Sequence, residues 1–232
     1  MGSPEGRDDE RPIHRVAIGP FSIGTTPVTN LEYAPFLASG GGEPPPWWSD
    51  PAFSLPRQPV VGVSWEDASR FAAWLAESAG GTWRLPTEAE WEFAAFGGLD
   101  SGAMPPGEDL PPPEVPDGPL SGPWEVGRGA ANGYGLFDMG TIVHEWCLDW
   151  YAADYYAVSP AADPQTTART ADTFITAMFT SARLPSASAI RTVPIRGNGA
   201  AVFTLARIRA NISPTPPRPS RPAQLVADFT CR

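Results

Sequence analysis

Thr82-Trp83-Arg84-Leu85-Pro86-Thr87-Glu88-Ala89-Glu90-Trp91-Glu92-Phe93-Ala94-Ala95 is the stretch whose reading decides the fold. Trp83 and Leu85 close an extended segment, and Pro86 ends it because proline has no N–H to give to a strand ladder. Thr87 is placed to cap a helix, with Glu90 three residues on closing a capping box. Trp91, Ala94 and Ala95 then fall on one helical face. The stretch predicts a strand-to-helix junction with a buried indole on the helix.

The same signals recur upstream. Ser64 caps a second predicted helix, near 64–78, in which Phe71, Trp74 and Leu75 share a face, while the junction helix runs near 87–96. Thr29 and Glu32 form another capping box over 30–37, carrying Tyr33, Phe36 and Leu37, with Pro35 expected to bend or shorten that helix. These stripes read as core. Arg15 to Ile23 alternates Val16, Ile18, Phe21 and Ile23 around Pro20, which predicts a strand with an edge or bulge. Residues 39–58 and 97–131 are rich in Gly and Pro and read as long loops. A last strand is expected near Asp228 to Cys231.

At 232 residues and 42% hydrophobic, the chain suits one domain with a proper core, residues 1–156 forming a scaffold and 157–232 a C-terminal part. Nine Trp and eleven Phe favour a rigid interior. The net charge of −10 argues against capture of nucleic acid or anionic lipid, which need a basic face. All sixteen basic residues are Arg, so lysine Schiff-base chemistry and a P-loop lysine are excluded. Arg-only usage with 29 Pro fits a GC-rich genome and a thermostable chain. Two cysteines, Cys147 and Cys231, are too few for a disulfide scaffold or a metal spacing, though one long-range bridge is conceivable. The N-terminus lacks the apolar core of a signal peptide, and no run of about 18 apolar residues occurs. The expectation is a chain that is cytoplasmic at synthesis and does not insert directly into a membrane, its final place open between the cytoplasm, a virion and the cell surface through a partner.

Composition breaks at residue 157. The remaining 76 residues contain no Glu, Lys, Trp, Tyr or His, whereas the first 156 hold 13 Glu and all nine Trp. Uniform composition would give about ten Glu and Trp together in the tail. The Pro-rich run from Pro214 to Pro222 suits a low-complexity tail. Phe174, Ile175, Phe179, Val193, Ile195, Phe203, Leu205, Ile208 and Phe229 argue instead for an ordered one, since that much apolar surface would otherwise face water.

The junction string resembles a hallmark of the formylglycine-generating-enzyme family, whose fold is a variant of the C-type lectin fold. Further stretches match that family in order: Asp9-Glu10-Arg11-Pro12-Ile13-His14, Pro27-Val28-Thr29-Asn30, Pro59-Val60-Val61-Gly62-Val63-Ser64-Trp65, Asn132-Gly133-Tyr134-Gly135-Leu136-Phe137-Asp138-Met139, and Glu145-Trp146 through Tyr151. Several ordered motifs are more specific than one short pattern. The resemblance implies an α+β, C-type lectin-like fold of small twisted sheets, a few helices and long loops. It continues weakly at Ile195-Arg196-Gly197-Asn198-Gly199 and Asp228-Phe229-Thr230-Cys231.

Members that make formylglycine carry two cysteines between those last landmarks; the pair holds copper and drives oxidation of a substrate cysteine. Residues 199–209 contain none, and a soft cuprous ion demands thiolates. The family's Gly-Asn-Val-Trp-Glu-Trp becomes Thr141-Ile142-Val143-His144-Glu145-Trp146, so Ile142 stands at a calcium-coordinating Asn and offers no side-chain oxygen. His144 has no second His at useful spacing and reads as a structural substitution. Asp149, Asp154 and Asp163 read as solvated loop carboxylates. Gly40-Gly41-Gly42 lacks the lysine and helix of a phosphate loop and reads as a turn. No catalytic residue, metal or cofactor is expected.

An emptied scaffold with an unusual C-terminal third is similar to the variable proteins of diversity-generating retroelements. These include phage proteins, in which such a fold displays hypervariable residues near the C-terminus. Adenine-directed change at asparagine codons leaves codons ending in a pyrimidine, which cannot encode Glu, Lys, Gln, Trp or Met. Only Gln165, Met178 and Gln224 depart from that restriction in the tail. The resemblance implies a ligand-binding display protein with a protein or other macromolecular partner. Its variable surface is expected at Ala200, Ala201, Val202, Phe203, Thr204, Leu205, Ile208, Ala210, Ile212, Ser213, Pro214 and Thr215, with Phe203 the anchor. The alternatives are a divergent oxidase of this family acting with a partner and a structural accessory domain.

Overall fold

The computed structural model describes residues 1–2, 8–98, 122–140 and 142–167, and the strand segments 174–177, 203–205 and 208–210. Helix α1 spans Asn30–Ala38, α2 Trp65–Ala79 and α3 Glu88–Phe96, with a short α4 at Tyr155–Val158. The strands are β1 (Ser22–Ile23), β2 (Thr82–Arg84), β3 (His144–Trp150), β4 (Phe174–Ala177), β5 (Phe203–Leu205) and β6 (Ile208–Ala210). They form two three-stranded sheets, β1-β6-β2 and β4-β3-β5. This is the expected α+β architecture.

Both capping boxes are present as predicted. Thr29 accepts from the Glu32 N–H and Thr87 from the Glu90 N–H, and each glutamate carboxylate returns a bond to its cap's main-chain N–H. Ser64 caps α2 through the Asp67 N–H. Pro35 does not break α1; it lies inside a nine-residue helix. The hydrogen bond it forgoes is to the carbonyl of Leu31, a residue facing solvent, where water can take the donor's place.

The expected strand over Arg15 to Ile23 is corrected to two fragments. Only Ser22–Ile23 joins a ladder, pairing with β6, while Ala17 makes an isolated bridge to Ala162. Pro20 interrupts the donor series between them. The strand expected near Asp228 to Cys231 lies outside the described residues.

Strand β3 is buried on both faces. On one, Trp146 packs with Val28, Tyr33, Phe36, Val63 and Phe71, and its indole N–H donates to the Val63 carbonyl at 2.9 Å. On the other, Cys147 packs with Trp91, Ala94, Ala95 and Leu136. Helices α1 and α2 thus cover one side of the strand and α3 the other. Among the described residues no helix is long and apolar enough to cross a membrane.

Candidate functional site

The strand alternation of β3 places Glu145, Cys147 and Asp149 in one column, and all three are buried. Helix α3 adds Glu88, Glu90 and Glu92, also buried. The junction between α3 and β3 is therefore a core rich in acids, in which Glu92 pairs with the Met1 ammonium at 3.5 Å.

Glu145 is 1% exposed and accepts from the Trp91 indole N–H at 3.0 Å. Burial pushes its carboxyl up to about 7; the indole and the Gly140 N–H oppose that rise, and the charge of Asp138 adds to it. Asp138 adopts a left-handed φ of 61° in the turn before β3 and accepts from the Gly127 N–H at 2.5 Å, and its carboxyl too is raised by burial.

Asp149 corrects the expectation of a solvated loop carboxylate. It is 1% exposed, one oxygen accepting from the Glu88 N–H and the other from the Thr166 N–H, each at 2.8 Å. Burial nonetheless lifts it to about 6. Asp154 and Asp163 are exposed, and Asp163 accepts from the Gly19 N–H at 2.6 Å. Glu88 accepts from the Tyr156 hydroxyl at 3.0 Å, and Glu90 takes a bidentate pair of 2.7 Å bonds from Arg84.

Cys147 is a free, buried thiol, and burial beside Asp149 and Glu88 raises its pKa well above normal, so it stays protonated. Burial lowers His144, leaving a neutral imidazole at physiological pH. Among the described residues no three His, Cys, Asp or Glu side chains converge as a metal set. The copper chemistry of the oxidases does not fit: residues 199–209 hold no cysteine and Cys147 offers no thiolate. For calcium, Ile142 supplies no side-chain oxygen, leaving the Asp138 and Glu145 carboxyls as the acids of that turn.

Of the expected display residues, Phe203, Thr204 and Leu205 are β5, running parallel to β3 in register with His144, Glu145 and Trp146. Ile208 and Ala210 belong to β6, the central strand of the other sheet. Ile208 stands opposite Ile23 and Arg84, and Ala210 opposite Thr82. Ala200, Ala201, Val202, Ile212, Ser213, Pro214 and Thr215 lie outside the described residues. Sequence reasoning missed the buried acids of β3, because the alternation of Glu145 and Asp149 with Trp146, Leu148 and Trp150 marks a strand but reads as one apolar and one solvated face.

Residues 1–187 match the sulfatase-modifying factor enzyme 1-like domain family. The chain belongs to that family. It is 34% identical over 217 residues to the formylglycine-generating enzyme of Streptomyces coelicolor, covering 68% of this chain and 66% of that protein. It is 30% identical over 207 residues to the inactive C-alpha-formylglycine-generating enzyme 2 of Bos taurus, covering 65% and 67%. A third relative is serine/threonine-protein kinase pkn1 of Chlamydia caviae, 34% identical over 177 residues. The match covers 68% of this chain but 27% of the kinase, so the chain spans about a quarter of that relative's length. Among solved structures, Treponema denticola variable protein 1 superposes with a TM-score of 0.62 at 21% identity, over 90% of each chain, a likeness of fold. The family thus embraces proteins named as enzymes and proteins named as inactive.

Proposed function

We propose that this family member is a non-catalytic ligand-binding protein whose C-terminal region carries the binding surface and is diversified by a retroelement. The observation that carries the reading is the break at residue 157, after which Glu, Trp, Tyr and His vanish. Two features support it: a missing cysteine pair, and a fold shared with a protein named for its variability. On this reading the surface comprises Ala200 to Leu205, Ile208, Ala210 and Ile212 to Thr215, with Phe203 as anchor and the ligand a protein or other macromolecule. The central-strand register of Ile208 and Ala210 gives them a duty to the sheet as well. Sequencing the encoding locus tests the reading. A reverse transcriptase beside a near-copy of the last part of the gene, differing at adenines, is expected; a locus with neither contradicts it.

A second reading, a divergent oxidase acting with a partner, is favoured by the 34% identity to a formylglycine-generating enzyme. Cuprous ion separates the two. Stoichiometric binding by the purified chain, with conversion of a cysteine peptide, establishes the oxidase and removes the display reading.

A further inference from the structure

The geometry points to Asp149 as a clamp that fixes where the body hands over to the C-terminal region, gripping the chain there by the peptide N–H of Thr166. The inference rests on the display reading for its purpose and on β3 for its physics.

Along β3 the pairing with β4 slips: Trp146 faces Thr176 while Trp150 faces Phe174, so four steps on one strand answer two on the other. Such an irregularity re-aims the side chains within it. Asp149 lies inside it. Its carboxylate spans two segments far apart in sequence, the first residue of α3 through the Glu88 N–H and the approach to the C-terminal region through the Thr166 N–H. The Trp150 N–H donates to the Thr166 carbonyl at 3.1 Å, so both peptide groups flanking Thr166 are held from β3.

The segment just before is held by main-chain bonds together with two side chains, Asp163 accepting from the Gly19 N–H and the Ser159 hydroxyl meeting His14 Nε2, each at 2.6 Å. The Ala17 N–H donates to the Ala161 carbonyl and the Asp163 N–H to the Ala17 carbonyl, both at 2.8 Å. Downstream, β4 and β5 attach to β3, and β6 to β1 and β2, by strand pairing, which is again main chain to main chain. The main-chain part of this attachment survives a change of side chain, which a diversified surface requires. Asp149 supplies a buried carboxylate acceptor to this run of peptide groups at its outset, and burial makes each bond to it count for more.

Other ionisable groups surround the carboxylate. Glu88 and Glu90 face it from α3, Arg84 from β2 through its pair with Glu90, Cys147 from β3, and Tyr155 from α4. Glu90 opposes its ionisation, while the two N–H donors favour it.

Amide hydrogen exchange and NMR on the whole chain test the clamp. In Asp149→Asn, which keeps shape but offers an N–H where one amide needs an acceptor, the Thr166 or Glu88 amide is expected to exchange at least tenfold faster, with Phe71 and Ala72 of α2 unchanged. Thr166→Val, which keeps the N–H, leaves exchange as in the parent. Should Asp149→Asn not fold, the parent answers alone: the Glu88 and Thr166 amide protons are expected to shift together between pH 4.5 and 8 with one midpoint near 6. Unchanged protection of both amides in Asp149→Asn, or separate midpoints for the two amides in the parent, overturns the clamp. Neither measurement uses a ligand, so failure of the display reading leaves these outcomes intact.

Discussion

Trp91 and Glu145, 54 positions apart, are joined by a 3.0 Å indole-to-carboxylate hydrogen bond in which neither partner sees solvent. Through it α3 stands on β3. Trp91→Ala removes the packing of a fully buried ring and orphans Glu145, and is expected to cost about 3–5 kcal/mol or more. Thr87→Ala removes one cap and should cost about 1 kcal/mol. Urea denaturation compares them; equal losses would contradict the burial assigned to Trp91.

The buried acids set a pH dependence whose sign follows from the direction of their shifts. Glu145 is raised from 4.5 to about 7 and Asp149 from 3.8 to about 6, so each binds its proton more tightly folded than unfolded. Their contribution is fully present below the unfolded values and is lost as pH rises through roughly 4 to 7. Glu145→Gln, neutral at every pH, should therefore lose less stability than the parent between pH 5 and pH 7.5. Denaturation midpoints at the two pH values measure this, and a steeper loss in the variant contradicts the assignment.

Cys147 should be silent to thiol reagents in the folded protein. In a Cys231→Ser chain, an aromatic disulfide reagent is expected to react at pH 8 only after denaturant is added, because the thiol is buried and protonated. Rapid reaction of the native chain would show an accessible thiolate.

Arg84 and Glu90 tie β2 to the start of α3 by a bidentate pair in which the carboxylate is nearly buried and the guanidinium about a third exposed. Arg84→Met strands the Glu90 charge and should cost about 2–3 kcal/mol, at the lower end for such breaks because solvent screens Arg84. Arg84→Met with Glu90→Gln should recover part of it. A double variant no more stable than the single one would show that the pair is not coupled.

These relationships differ in how far the sequence betrays them, and distance along the chain explains the difference. The capping boxes at Thr29 and Thr87 close within three residues, so residue type and spacing suffice to place α1 and α3. Asp149 takes its partners from Glu88 and Thr166, 61 and 17 residues away, and nothing local tells a buried clamp from a solvated turn acid. The alternation of acids with Trp146, Leu148 and Trp150 marked the strand without naming its partners. Pro20 hid how little of Arg15 to Ile23 would pair, because the strand that pairs with it, β6, comes from the other end of the chain. The switch of composition at residue 157 was visible at once, since it needs no partner to be seen.

The central claim is that the C-terminal region displays its side chains on a fold that does not depend on them. A small library randomising Ala201, Phe203, Leu205 and Ser213 to small or aromatic residues, followed by melting curves, tests it most directly. Most members are expected to melt within a few degrees of the parent, because exposed sites change stability by about 0.5 kcal/mol each or less, while ligand preference changes from member to member. If most members are unfolded, with losses of about 2–5 kcal/mol for each large-to-small change, these side chains are core and the display account is wrong.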